Sequence, residues 1–165
     1  MAVELKRIES VIKRTILNSV KNISDKAVKV GWINKATYAD TNVTIAEAAA
    51  TNEYGNPFKH IPARSFMRTT IVEQENVWRS QLEKDAINII HGQMTIENSL
   101  ERIGLIAAGD IRKKIAEIYE PPLSPVTIYN RLHRKNNKKT IGALDKPLVD
   151  TGVMLGALTS KVESV

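Results

Sequence analysis

The run Ala27-Val28-Lys29-Val30-Gly31-Trp32-Ile33 reads as a short strand, because β-branched residues recur in it with partial alternation. A second stretch, Thr159 to Val165, invites the same reading from the opposite end of the chain. A sheet made from the two brings distant parts of the sequence together and leaves the middle of the chain to pack on one face. That middle is mostly helical in pattern. The expected fold is therefore α+β: a small mixed or antiparallel sheet flanked by several helices, with a long irregular arm near the C-terminus.

The helical readings rest on spacing and punctuation. Val3, Leu5, Ile8, Val11, Ile12, Ile16, Leu17 and Val20 recur with helical period, which predicts an amphipathic helix over 2–21. Residues 34–42 form a polar connection. Thr44 with Glu47 three positions later is a capping box opening an Ala-rich helix. Gly55 ends that helix, and Pro57 and Pro62 are expected to keep 56–63 extended. Ser65 caps the next helix, whose buried stripe is expected to be Ile71, Trp78, Leu82, Ala86 and Ile89 or Ile90, with Gly92 as its stop. Thr95 caps another, with Ile96, Leu100, Ile103, Ala107, Ile111, Ile115 and Ile118 on one face, and Pro121-Pro122 terminates it. Residues 119–147 read as irregular. A last helix runs from Asp150 or Thr151 to about Leu158.

At 165 residues the chain is read as one domain, 1–165, with an extended basic arm at about 119–147. Hydrophobic residues make up 42%, enough for a core, but aromatics are 5%, so that core relies on Ile, Leu, Val and Ala. The formal net charge of +6 favours acidic partners. Cysteine is absent, which excludes disulfide scaffolds and thiolate chemistry. The charged N-terminal stretch does not read as a signal peptide, and no run approaches the length of a membrane span. No membrane partner is expected.

No constellation of residues points to catalysis. His60, His91 and His133 are isolated from one another and from metal-ligand spacing. Phosphate-binding and nucleophile-elbow motifs are missing. The expectation is a protein that is not an enzyme, with no catalytic residue, no metal and no cofactor. The basic run is the strongest chemical signal: Arg131, Arg134, Lys135, Lys138 and Lys139 surround Asn136-Asn137 with no acid among them. Such a cluster suits DNA phosphates or an acidic protein partner. An alternative reading takes 124–135 as a helix-turn-helix-like segment of a basic nucleic-acid-binding regulator. That motif needs a preceding helix joined by a short supple turn, and Pro121-Pro122 makes the junction stiff.

Several ordered pieces carry a resemblance. They are Gly31-Trp32; Ala49 to Gly55 ending in Asn-Glu-Tyr-Gly; Ile61-Pro62-Ala63-Arg64 with Phe66 and Arg68; Pro122-Leu123-Ser124 with Thr127; and Lys146-Pro147-Leu148 running into Asp150-Thr151-Gly152, then Leu155 and Leu158-Thr159. In order and spacing the chain resembles a family of bacteriophage tail-completion and neck proteins, also called minor tail components or virion-morphogenesis proteins. The resemblance implies a helix-flanked sheet and a structural role at the head–tail junction. It implies a homo-oligomeric ring around the DNA channel, expected to be six-fold. The neighbours would be connector, tail-terminator or tube proteins, with non-specific contact to genomic DNA. It implies a virion component assembled in the host cytoplasm. A ring requires two different patches that meet on neighbouring copies. The candidates for those patches are Tyr54, Arg64, Phe66, Arg68, Leu123, Tyr129, Pro147, Leu148 and Asp150. For Phe66 plain core packing, with its flanking arginines solvated, is the competing reading. The basic stretch from Arg131 to Lys139 is longer and more charged than the family pattern implies.

Overall fold

The computed structural model describes Arg14 and residues 25–38, 41–134 and 141–165. Apart from Arg14, the expected helix over 2–21 lies outside the described residues, as do Lys135, Lys138 and Lys139. In chain order the elements are β1 (Lys26–Gly31), α1 (Ile45–Tyr54), a 3₁₀ turn (Pro57–Lys59), α2 (Met67–Ile90), α3 (Ile96–Glu117), α4 (Pro125–Leu132), α5 (Val153–Ala157) and β2 (Thr159–Ser164). The fold is α+β, as the two-ended strand pattern predicts.

Both strands pair with each other. β1 and β2 run antiparallel, with Val28 opposite Val162 and Lys29 opposite Lys161. A two-stranded ribbon is marginal alone and needs a helix against it. α3 supplies that helix and touches both strands. The close approach is made at Gly104: a Cβ there would stand 2.7 Å from Val28 Cγ2 and 2.8 Å from Ser160 Cβ.

The stripe predicted for α3 is the spine of the protein: Ile96, Ile103, Ala107, Ile111 and Ile115 are buried. Ala108, Ile111 and Ile115 join Ile45 and Ala49 of α1, Phe66, Met154 of α5 and Leu158 in one core cluster. Trp32 meets Phe66 edge-on, with ring centroids 5.8 Å apart, and its indole N–H donates to the Met154 carbonyl at 2.7 Å. That bond lets the polar end of a large aromatic enter the core. Arg112 of α3 donates Nε to the Leu155 carbonyl at 3.2 Å and Nη2 to that of Leu158, which fastens α5 to the spine.

α2 departs from expectation. Its buried residues are Thr70 and Asp85, while Ile71, Leu82 and Ile90 of the predicted stripe are exposed. The reason is a polar seam between α2 and α3. Asp85 accepts from Ser99 at 2.9 Å, from Gln81 at 3.2 Å and from Arg102. Trp78 donates its indole N–H to Asp110 at 2.8 Å. A buried carboxylate so satisfied can hold the inner face of a helix that apolar spacing alone would turn outward.

Two connections also differ. Residues 56–63 are a hairpin, not an extended run: Asn56 and Ile61 exchange backbone bonds at 2.7 and 2.9 Å around the 3₁₀ turn, and the Asn56 side chain accepts from Lys59 N–H at 3.1 Å. Within 119–147 the chain forms α4, capped by Ser124, whose hydroxyl accepts from Thr127 N–H at 3.2 Å, with Pro125 in the first turn. The described residues on either side of α4, 119–124 and 141–147, form no helix or strand. No described helix is long and apolar enough to cross a membrane.

Candidate functional site

Four of the five motif pieces, far apart in sequence, meet around one groove of about 1030 Å³. One wall is Asn52 and the return of the hairpin, His60 to Arg64; the second is Pro122 to Thr127 at the start of α4; the third is Leu148 to Met154. Tyr38 and Thr41 close an end, and Arg131 and Arg134 line it from α4 and the residues just after it.

The first wall is fixed from behind by Glu53. Gly55 (φ 75°) turns the chain out of α1, and a Cβ there would stand 2.7 Å from Ala63 N, so the hairpin folds back in close contact. The fold-back puts the start of α2 over the end of α1. Glu53 Oε2 accepts the N–H groups of Phe66 at 2.7 Å and Met67 at 2.9 Å. Oε1 accepts the Ser65 hydroxyl at 2.8 Å, Arg68 N–H at 3.2 Å and Arg68 Nε at 2.9 Å. Ser65 therefore does not cap α2 by itself; the cap is a carboxylate on the previous helix. Burial alone would raise the Glu53 pKa, but these bonds outweigh it and hold the group below the ordinary carboxylate range. The sequence carried one signal of this arrangement: the first turn of α2 has no acid of its own.

Arginines secure the other walls. Arg64, only 5% exposed, donates Nε to the Pro121 carbonyl at 2.7 Å and Nη2 to that of Pro122 at 2.9 Å. Arg131 Nη1 donates to the carbonyls of Leu144 at 3.0 Å, Lys146 at 2.8 Å and Val149 at 3.4 Å. Arg134 Nη2 meets Asp150 Oδ2 at 2.5 Å. Irregular backbone on both sides of α4 is thus held by guanidinium forks where no ladder exists to hold it. Burial, and then the like charge of Arg131, lowers the Arg64 pKa from its ordinary value. Burial lowers that of Arg131 too, opposed by Asp150. Tyr38 is pushed up by burial and by Asp150. His60 (φ 51°) and Leu148 (φ 62°) are the non-glycine residues with left-handed backbone among those described, and both line the groove.

The contact candidates divide. Phe66 is 0% exposed and belongs to the core, so it cannot meet a partner; Pro147 is fully buried as well. Their apolar bulk is needed inside a protein poor in aromatics. Arg64 and Asp150 line the groove, as do Leu123 and Leu148, both half-buried. Tyr54 is 66% exposed with the Arg68 guanidinium 4.7 Å from its ring centroid. Tyr129 is exposed and stacks on His133. The outer face of α4 carries Val126, Tyr129 and Leu132, whereas Arg131 points inward. That face is apolar, not basic. Lys146 is buried with its Nζ 3.1 Å from the Tyr119 ring centroid and no hydrogen-bond partner.

One residue escaped sequence reading altogether. Phe58, at the tip of the hairpin, is 96% exposed. The bonds across Asn56 and Ile61 and the His60 N–H to the Pro57 carbonyl at 3.1 Å hold it out rigidly. Its signal was a Pro-Phe pair inside the span expected to be extended.

Among the described residues no group of three or more His, Cys, Asp or Glu side chains is placed to hold a metal ion. Comparison with models of known families, with curated proteins and with solved structures finds no match for this chain.

Proposed function

We propose that this chain is a structural, non-enzymatic subunit of a bacteriophage virion, a neck or tail-completion protein that assembles with copies of itself in a ring at the head–tail junction. One observation carries the reading: four of the five separated motif pieces converge on a single groove, and their polar groups hold backbone in place. Glu53, Arg64 and Arg131 all serve backbone groups. Contact residues stand outside that framework, with Phe58 and Tyr54 on one edge and Tyr129 on α4. Rigid, exposed aromatics on a fixed frame suit association, since little freedom is lost when they are covered.

A reconstruction of the particle that carries this chain tests the reading. The expected result is a closed ring of copies between the head connector and the tail tube. A chain present only as single copies, or missing from the particle, would end it.

A further inference from the structure

The groove is lined by three guanidinium groups, Arg64, Arg131 and Arg134, and one carboxylate, Asp150. Arg131 and Arg134 share that carboxylate, with Arg131 Nε at 3.9 Å from Oδ1 and Arg134 Nη2 at 2.5 Å from Oδ2. Arg64 has carbonyl oxygens as its partners. A carbonyl satisfies a donor but does not cancel its charge. Among the described residues Arg64 Nη1 and Arg131 Nη2 have no hydrogen-bond partner, and neither counts among the buried unpartnered atoms, so both reach the groove. Both atoms are open to a ligand that enters the groove.

The remaining lining decides what kind of anion fits. Ile61, Pro62, Pro122, Leu123, Leu148 and Met154 supply apolar walls on all sides. A bare phosphate leaves those walls wet. An extended polypeptide covers them with its own apolar side chains while an Asp or Glu accepts from the remaining guanidinium donors, one from each arginine. We propose that this groove is a binding site for an extended acidic segment of a partner protein, with a carboxylate seated at Arg64 and Arg131 and apolar residues on either side of it. Charge complementarity argues for that occupant. The site stands on the chemistry of the groove, so it survives or fails separately from the virion reading.

An array of random hexapeptides probed with the full purified chain tests it. Bound peptides are expected to be enriched in Asp or Glu flanked by apolar residues, and replacing the acid by its amide should weaken binding at least tenfold. Two variants separate binding from folding. Thr127→Glu places an internal anion on the wall behind the Ser124 cap and should leave the melting temperature unchanged, while Arg134→Gln removes a groove cation paired with Asp150, so its melting temperature is read beside its binding; each should weaken acidic peptides about tenfold. No enrichment for acids, or equal binding of amide peptides, would overturn the proposal. So would displacement of bound peptide by a 20-base-pair duplex, since the groove would then be a phosphate site.

Discussion

Glu53 closes one helix and opens the next: its Oε2 accepts the Phe66 N–H at 2.7 Å across the turn that separates α1 from α2. Five donors converge on this one carboxylate, so its removal leaves several backbone N–H groups without an acceptor in a buried place. Glu53→Ala should lower unfolding stability by on the order of 3 kcal/mol, read by chemical denaturation. A loss under 1 kcal/mol would mean water replaces the cap.

The same group predicts a pH dependence. Its folded pKa lies below the ordinary value, so it stabilises fully above the unfolded pKa of about 4.3 and loses that contribution as pH falls through the folded value. Denaturation of the native chain and of Glu53→Gln should therefore differ most near neutrality and converge as pH drops below about 4. Glu47, Glu97 and Glu163 are also lowered, each by hydrogen bonds at the surface, and they are common to both proteins and cancel in the comparison.

Arg64 offers a test of geometry against charge. Lysine keeps the charge but cannot donate in a planar fork to the Pro121 and Pro122 carbonyls together. Arg64→Lys should cost about 2 kcal/mol and raise hydrogen exchange at Thr127 and Ile128, whose amides bond back to Ser124 at the start of α4. Unchanged protection there would show that α4 is anchored by Arg131 alone.

Gly104 is a contact between helix and ribbon. A methyl group there collides with Val28, which is stiff at χ1, and with Ser160 Cβ, which lies next to the backbone. Gly104→Ala should destabilise by about 1–3 kcal/mol, despite the better helix propensity of alanine. A stabilised variant would mean that the ribbon slides easily over α3.

Phe58 separates folding from association. At 96% exposure it contributes little to the folded chain, so Phe58→Ser should leave stability within about 0.5 kcal/mol. In the proposed role the same change should reduce assembly of complete particles at least tenfold, counted by electron microscopy. Normal particle yield would remove the hairpin from the contact surface.

The legible parts of the fold were those governed by local rules. The capping box at Thr44 and Glu47, the stop at Gly55, the stripe of α3 and both strands stand where their sequences place them. The α2 stripe was misread because apolar period is silent about a buried Asp85 satisfied from another helix. The hairpin departs from the extended run that Pro57 and Pro62 suggest because the Asn56 side chain organises a turn between them. Of the site, the motif segments were visible in sequence. Their meeting in space was not, because Arg64 reaches 57 residues along the chain and Arg131 reaches carbonyls 13 to 18 residues away.

The pairing of β1 with β2 also orders events during synthesis. Val28 is made early and finds its cross-strand neighbour Val162 only after the intervening helices exist. Closing so long a loop is slow, because its entropy is lost before the contact forms. The face of α3 around Gly104 therefore stays uncovered until β2 has left the ribosome, so the ribbon that covers it is a late product of folding.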